Sequence, residues 1–331
     1  MADGSLRLMS QARRDPLFDI TRAWNLPDAP ALPDEDWGSY LRRIGFTDTQ
    51  LDYVRRAYSN AAGDSMHYTS AEEILAQLHD SSDGAGDFRI LDGYSRLTEH
   101  LAEGLDIRLN TVVERVAWSG AGVRVDTNQG VFEADQIVIT LPIGVLQSGA
   151  VTFEPPLPAE KRDAIANIRM GPVIKLVYRL DQPIAPPDIM AVYSAGNPPM
   201  WWSPSFGQDT GQQVWTAFVS GDGARDLLAL GETGALETAL ESLRRELGCP
   251  TLTALDMKLV NWPADPFARG GYSVATPGYA NARHIVAQPV AGKLFWAGEG
   301  TASGTGAATV HGAYSSGRRA ASEILANNHQ Q

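Results

Sequence analysis

At 331 residues the chain has room for two domains or one large one, and its composition, 44% hydrophobic and 20% charged, excludes disorder. A formal net charge of -12 argues against a nucleic acid or an anionic membrane as partner, because a polyanion is repelled over most of the surface. Acidity could draw in cationic small molecules, but it serves solubility equally well.

The first twenty residues, "MADGSLRLMSQARRDPLFDI", lack the apolar run of a secretory signal, and no stretch approaches the length of a membrane span. The expectation is a cytoplasmic protein. The single cysteine, Cys249, excludes an internal disulfide, and the six histidines show no H-x-x-x-H or H-E-x-x-H spacing, so no metal site is expected.

In chain order, residues 1–80 alternate turn signals with helical patterns. In "TDTQLDYVRRAYSNAA", Leu51, Val54, Tyr58 and Ala62 recur at helical spacing behind Thr47 and Asp48, which can cap. "TSAEEILAQLHD" repeats the pattern, with Thr69 or Ser70 as cap and acidic residues in the first turn. After a polar, glycine-rich joint, "SSDGAGDFRILDGYSRL", the texture becomes short strands: "IRL", "VVERVAWS", "VRVDT", "VFEA" and "QIVIT". The last is apolar enough for burial on both faces. "LPAEKRDAIANI" then reads as a helix, "VIKLVYRL" and "QVWTAFVS" as strands, and "ALETALESLRREL" as an amphipathic helix with Leu236, Leu240, Leu243 and Leu247 on one face.

Near the end, "KLFWAGEGTASGTGAATVHGAYSSGRRAASEIL" reads as a strand, a glycine turn and a helix. Gly298, Gly300 and Gly304 carry one residue too many for G-x-G-x-x-G, and the helix and polar tail that follow offer no second strand. An ordinary dinucleotide-binding turn is therefore excluded here.

Six stretches, "DGYSRLTEHLAEGLDIRLNTVVERV", "ADQIVITLPIGVL", "FEPPLPAEKRDAI", "GPVIKLVYRL", "NWPADPFARGGYS" and "FWAGEGTASGTGAATVHGAYSSGRRAA", together resemble the flavin-containing amine oxidases in that family's order. The family includes monoamine and polyamine oxidases and flavin-type histone demethylases. The resemblance implies an α/β fold, in which an α+β substrate domain with a mixed sheet joins the C-terminal half of a Rossmann-like FAD domain. It divides the chain into a helical part of the substrate domain (1–87), an FAD-domain segment (88–146), a sheet-containing substrate domain (147–279) and a second FAD-domain segment (280–331).

The same resemblance assigns the site. Gly298 and Glu299 would lie near the ribityl and pyrophosphate groups, and the helix start at Ala308, Thr309 and Val310 would point at the flavin ring, where a positive dipole end stabilises negative charge. Val113 would hold the adenine through its main chain, although it could equally be core, and Pro142 ends a buried strand that passes near the dinucleotide. Trp262 would pack near the ring. Lys175 would hold a water against the flavin N5, and Tyr272 would wall the amine pocket, with Thr309 at the second wall position. Trp201 and Trp202 could line that pocket or be core. Gly271 stands where some members tether flavin through a cysteine, so the FAD is expected to be noncovalent.

The family's opening strand, G-x-G-x-x-G turn and helix have no counterpart in this sequence. Three expectations compete: a separate polypeptide supplies that half, the sequence is a truncated gene product, or the chain is a noncatalytic binding module derived from an amine oxidase. The function implied is FAD-dependent oxidation of a small-molecule amine to an imine with formation of hydrogen peroxide, and the N-terminal half is expected to be needed for it. Retention of Lys175, Tyr272 and Glu299 favours the first two expectations.

Overall fold

The computed structural model describes residues 30–57, 63–79, 90, 92–194, 196–208 and 210–328. Most of the glycine-rich joint, and the Tyr58 and Ala62 positions of the first helical pattern, lie outside the described residues.

Three helices open the described chain: α1 (Trp37–Arg43), α2 (Asp48–Ala57) and α3 (Ala71–His79). Their apolar faces meet in a cluster containing Tyr40, Leu41, Leu51, Val54, Ile74 and Leu75. The start of α2 is a reciprocal cap: the Thr47 N–H donates to the Gln50 side chain at 2.9 Å and the Gln50 N–H to the Thr47 hydroxyl at 3.3 Å. At α3 the cap is Ser70, whose hydroxyl accepts from the Glu73 N–H at 3.3 Å. Here the box is not closed. The Ser70 N–H goes instead to the Ala275 carbonyl at 2.9 Å, which frees the Glu73 carboxylate for other partners.

Helix α4 (Ser95–Ala102) follows and buries no residue. Next come β1 (Val113–Ala117), β2 (Val123–Thr127), β3 (Gly130–Ala134) and β4 (Ile137–Ile139), then α5 (Ile143–Gln147), β5 (Thr152–Glu154), α6 (Ala159–Ala166) and β6 (Ile168–Met170). Four of these strands form a sheet in the order β3-β2-β1-β5, antiparallel except for the parallel β1–β5 pair.

The expected "IRL" strand does not form: residues 107–109 run as coil into a turn, and Leu109 is 79% exposed. A strand requires a ladder, and no described strand lies beside this segment. "QIVIT" also departs from expectation. As β4 it pairs in parallel only with β13 (Leu294–Trp296); Ile139 is buried but Val138 is 39% exposed, because that face is uncovered.

The second half is built on β7 (Val173–Leu180), β8 (Ala191–Tyr193), β9 (Met200–Trp202), β10 (Gln213–Ser220), α7 (Gly221–Leu228), α8 (Gly231–Glu246) and β11 (Ala254–Asn261). The five strands form one antiparallel sheet in the order β11-β7-β10-β9-β8. Alternation decides its faces. Ile174, Leu176, Tyr178 and Leu180 point into a core with Trp201, Trp215, Ala217 and Val219, roofed by Leu227, Leu236, Leu240 and Leu243 of α7 and α8. Lys175, Val177, Phe218 and Trp202 take the opposite face.

The chain closes with β12 (Ser273–Ala275), which pairs with β6, then α9 (Ala282–Ala287), β13 and α10 (Val310–Asn328). A third core gathers Val116, Val123, Ile139, Leu157, Ile165, Val286, Leu294 and Trp296 from both halves of the chain. Lys161 of α6 is buried within it, where its ammonium donates to the carbonyls of Ile285, Val286 and Gln288 at 3.0, 2.7 and 2.7 Å and lies 4.6 Å from the Trp296 ring centroid. The ammonium caps the exhausted end of α9, and the Glu160 and Glu323 carboxylates favour its proton. Burial first, then the Arg319 guanidinium, push it off, and the balance brings Lys161 down to about 7.

The unfolded chain keeps this proton to about pH 10.5, so between the two values the unfolded state binds more protons and stability rises with pH. Denaturant unfolding of the wild type should therefore gain stability from pH 7 to pH 9.5 relative to Lys161→Met. A parallel pH response in the two proteins would refute this account of the cap.

Candidate functional site

Strand β13 delivers the chain to the glycine turn. The Ala297 N–H continues the ladder onto the Ile139 carbonyl at 2.9 Å, and Gly298 then reverses direction at φ 115°, a conformation that favours glycine. Its N–H donates to the Ser316 hydroxyl at 2.9 Å, which fixes the turn to α10. Residues Glu299–Thr301 and Gly304–Gly306 form two short 3-10 turns before α10. A side chain at Gly312 would collide with the Gly306 carbonyl, so the small residue there permits turn and helix to touch.

Helix α10 begins at Val310, which is exposed, and Thr309 is its cap. The Thr309 hydroxyl accepts from the Gly312 N–H at 3.1 Å and donates to the Gly306 carbonyl at 2.8 Å. Ala308 stands outside the helix at φ 60°. The sequence places all three residues at the helix start; the structure gives the first turn to Val310 and leaves Ala308 in the connecting turn.

A cavity of about 380 Å³ opens against this turn. It is lined by Pro142, Gly271, Trp296, Gly298, Glu299 and Gly317 among others. Of the residues singled out in the sequence, it brings together Pro142, Gly298 and Glu299. Val113 instead lies in the four-stranded sheet opposite Thr127 and packs against the core, and it does not line the cavity. Trp262 is partly exposed at the head of a short 3-10 turn, and its carbonyl accepts from the Gly270 N–H at 3.2 Å, closing the loop that carries Ala268 to the cavity wall. A neighbouring hollow of about 740 Å³, edged by Arg162 and Arg169, shares Leu146 and Met170 with it.

Lys175 and Tyr272 stand beside this cavity, outside its lining. Lys175 projects from the open face of the large sheet between Val260 and Phe218, with its ammonium 5.7 Å from the Trp202 ring centroid. No carboxylate among the described residues pairs with it, and burial pushes it below the usual lysine range. Trp202 meets Phe218 edge-on at 5.8 Å. The "WW" pair is thereby resolved by strand alternation: Trp201 is fully buried in the core and Trp202 faces the open side. At the far end of this face, Tyr53 of α2 has its phenol pushed up by burial and by Tyr193 of β8, so the helical lobe reaches over the sheet.

Tyr272 is held by glycines. The Gly271 N–H donates to the Gly171 carbonyl at 2.9 Å and the Gly171 N–H to the Tyr272 carbonyl at 3.3 Å. The Tyr272 ring packs against Gly63, and burial pushes its phenol up, opposed by a backbone hydrogen bond from Gly63. Next in the chain, Asp64 is fully buried and accepts from Arg169 at 2.8 Å and Arg225 at 2.6 Å, while both guanidinium groups lie over the ring of Tyr68. Sequence reading missed this clamp, since Asp64 sits in a polar stretch with no periodic signal.

It also missed Arg283 and Glu73. Arg283, 2% exposed, pairs with Glu73 and donates to the Ser273 hydroxyl and carbonyl, each at 2.6 Å. Ser273 in turn donates to Glu299 Oε2 through its hydroxyl at 2.7 Å and its N–H at 3.3 Å. The one available signal was an acidic third residue in a capped helix, which reads as a closed capping box.

With this geometry in place, comparison with known proteins gives the family. A family model for flavin containing amine oxidoreductases matches residues 3–325. The chain belongs to that family. A mouse protein named lysine-specific histone demethylase 1B is 30% identical over 339 residues, covering 94% of this chain and 40% of its own length. Rice polyamine oxidase 4 is 35% identical over 241 residues, covering 71% of this chain and 48% of its own. The chain thus spans under half the length of these curated relatives. Among solved structures, putrescine oxidase bound to putrescine superposes with a TM-score of 0.77 at 22% identity, covering 96% of this chain and 75% of that one. Cyclohexylamine oxidase from Brevibacterium oxydans IH-35A gives 0.69 at 18% identity, covering 96% of this chain and 74% of that one. These likenesses establish the mixed α/β fold of the flavin amine oxidases. Membership makes the chain part of an oxidoreductase family whose cofactor is a flavin.

The residues present fit a flavin in part. Glycine backbone, the Glu299 carboxylate and the small residues Ala313 and Gly317 of α10 line the cavity, whereas Ala308, Thr309 and Val310 do not, and no strand, G-x-G-x-x-G and helix appears in the sequence to receive a pyrophosphate. The packing beside the cavity depends on Tyr272. At Gly63 a methyl group would come 2.6 Å from the Tyr272 ring at φ 74°, so Gly63→Ala should displace the ring and cost roughly 1–3 kcal/mol. Thermal unfolding and near-ultraviolet circular dichroism would reveal both effects; an unchanged aromatic spectrum would show that the packing is looser than described.

Proposed function

We propose that this chain forms the amine-facing part and the closing cofactor turn of an FAD-dependent amine oxidase acting on a small-molecule amine. The observation that carries the reading is the run Gly271–Tyr272–Ser273. Gly271 packs on Val173, two residues from Lys175, and lines the cofactor cavity; Tyr272 presents a ring; Ser273 holds Glu299. One short segment therefore joins the lysine wall to the cofactor turn.

A bound flavin would supply the redox chemistry, taking a hydride equivalent from the amine C–N bond to leave an imine, with oxygen as final acceptor and hydrogen peroxide as product. The chain's own part is placement. Trp202, Phe218 and Tyr272 offer ring faces to an amine, and Lys175 Nζ, with no carboxylate among the described residues to neutralise it, orders a water and exchanges a proton with it. Glu299 accepts a hydrogen bond from a cofactor hydroxyl, and the start of α10 places its dipole toward developing negative charge. Gly271 carries no sulfur and Cys249 lies at the end of α8 against Gln182, so the cofactor is held noncovalently.

The pyrophosphate-binding half, in this reading, comes from polypeptide outside these residues. The open edges of the β4–β13 pair, the exposed Val138 and the unburied α4 support that assignment, since parallel strands are ordinarily covered on both faces.

Two experiments test the proposal. The 331-residue chain alone should purify nearly free of FAD, and adding a polypeptide that carries the strand, G-x-G-x-x-G turn and helix should yield a yellow protein whose colour enters the supernatant on acid precipitation. Stoichiometric FAD on the lone chain, or flavin kept in the washed pellet, would overturn the corresponding part. In the completed protein, Lys175→Met should slow amine turnover by roughly 100-fold or more with FAD still bound; unchanged turnover would remove Lys175 from the site.

A further inference from the structure

The cofactor turn is tied to the helical lobe through a buried chain of groups that touches no cavity until its last member. Glu73, at the third position of α3, accepts from the Ala275 N–H at 2.7 Å and pairs with Arg283 of α9. Arg283 donates through Nη1 to the Ser273 hydroxyl and to the Glu299 carbonyl, the latter at 3.2 Å, and through Nη2 to the Ser273 carbonyl. A serine hydroxyl has one proton to give. With Arg283 occupying one of its lone pairs, that proton goes to Glu299 Oε2. The Ser273 N–H donates to the same oxygen, while Oε1 has no partner among the described residues and Glu299 lines the cavity.

We propose that Arg283, acting through Ser273, is a positioning residue that turns Glu299 so that Oε2 is committed to the protein and Oε1 alone is presented to the cofactor's hydroxyl groups. Glu73 makes that orientation depend on the seating of α3. This rests on the flavin reading of the cavity but concerns groups that never meet the flavin. The energetic logic favours a positioning role. Arg283, Glu73 and Ser273 are all less than a tenth exposed, and a buried ion pair is weak support for stability, whereas it fixes direction well. Ser316 and Arg319 hold the backbone of the turn, which leaves the direction of the Glu299 side chain to Ser273 and Arg283.

The mildest probe is Ser273→Ala, which keeps the Arg283–Glu73 pair and removes the hydroxyl between Arg283 and Glu299. In the full 331-residue chain, amide hydrogen exchange across residues 298–301 should rise about tenfold while β7 and β10 keep wild-type protection. In the completed, flavin-loaded protein the FAD dissociation constant should rise about tenfold, and Ser273→Ala should add little once Glu299→Gln is present, since both changes remove one interaction. Arg283→Lys, which keeps charge without the planar fork, should recover part of the loss seen in Arg283→Met. Unchanged exchange in the turn together with an FAD dissociation constant within twofold of wild type would overturn the proposal, as would an equal rise of exchange in β7 and β10, which would make the network a general brace. Failure of the completed wild type to take up flavin would count against the amine oxidase reading instead, and the exchange measurement on the chain would still decide this one.

Discussion

One buried guanidinium, that of Arg283, joins three parts of this molecule. The Arg283 side chain carries five N–H donors and no acceptor, so its donors need acceptors once the chain closes over it. It finds them on three separate elements: Glu73 of the helical lobe, Ser273 of the short strand β12 and the carbonyl of Glu299 in the glycine turn. Glu73 lies 210 residues from Arg283 in the sequence. The demand of one guanidinium for partners brings these elements to a common point, and the cofactor turn inherits its position from that demand.

The large sheet follows a different logic. Its closed face is settled by alternation, which puts Ile174, Leu176 and Tyr178 under two helices and leaves Lys175 opposite. The strand was free to carry a lysine there because the open face is lined by rings, and an ammonium near Trp202 keeps some favourable contact while losing water. The site thus arises where two kinds of order meet, a hydrophobic sheet and a polar knot, with Gly271 to Ser273 as the seam between them.

How much of this was legible in the sequence depended on the range of the interaction. Periodicity located α8 and its buried Leu236, Leu240 and Leu243, the strand bearing Lys175, and the capped starts of α2 and α3, because each is decided by neighbours within a turn or a pleat. The "IRL" segment and the two-sided burial of β4 were misread because a strand's state depends on what lies beside it, and its own residues cannot say. In the candidate site, motif order pointed to Glu299 and Lys175. It could not reveal that Glu73 leaves its capping box for a partner 210 residues away, nor that Asp64 joins two arginines, since both pairings cross the whole fold.

The Asp64 clamp makes the segment against Tyr272 unlike the sheet that carries Lys175. The Lys175 wall is bound by apolar burial, which added salt reinforces slightly and cold weakens. The segment pressed against Tyr272 hangs on a buried carboxylate gripped by two guanidinium groups that are themselves more than a third exposed. Ions in solution reach those guanidinium groups, and at physiological ionic strength their field fades within about 8 Å. Because Asp64 itself is fully buried and lies 2.6 and 2.8 Å from them, these pairs are screened little, so cold loosens the packing behind Lys175 while the segment against Tyr272 keeps its grip.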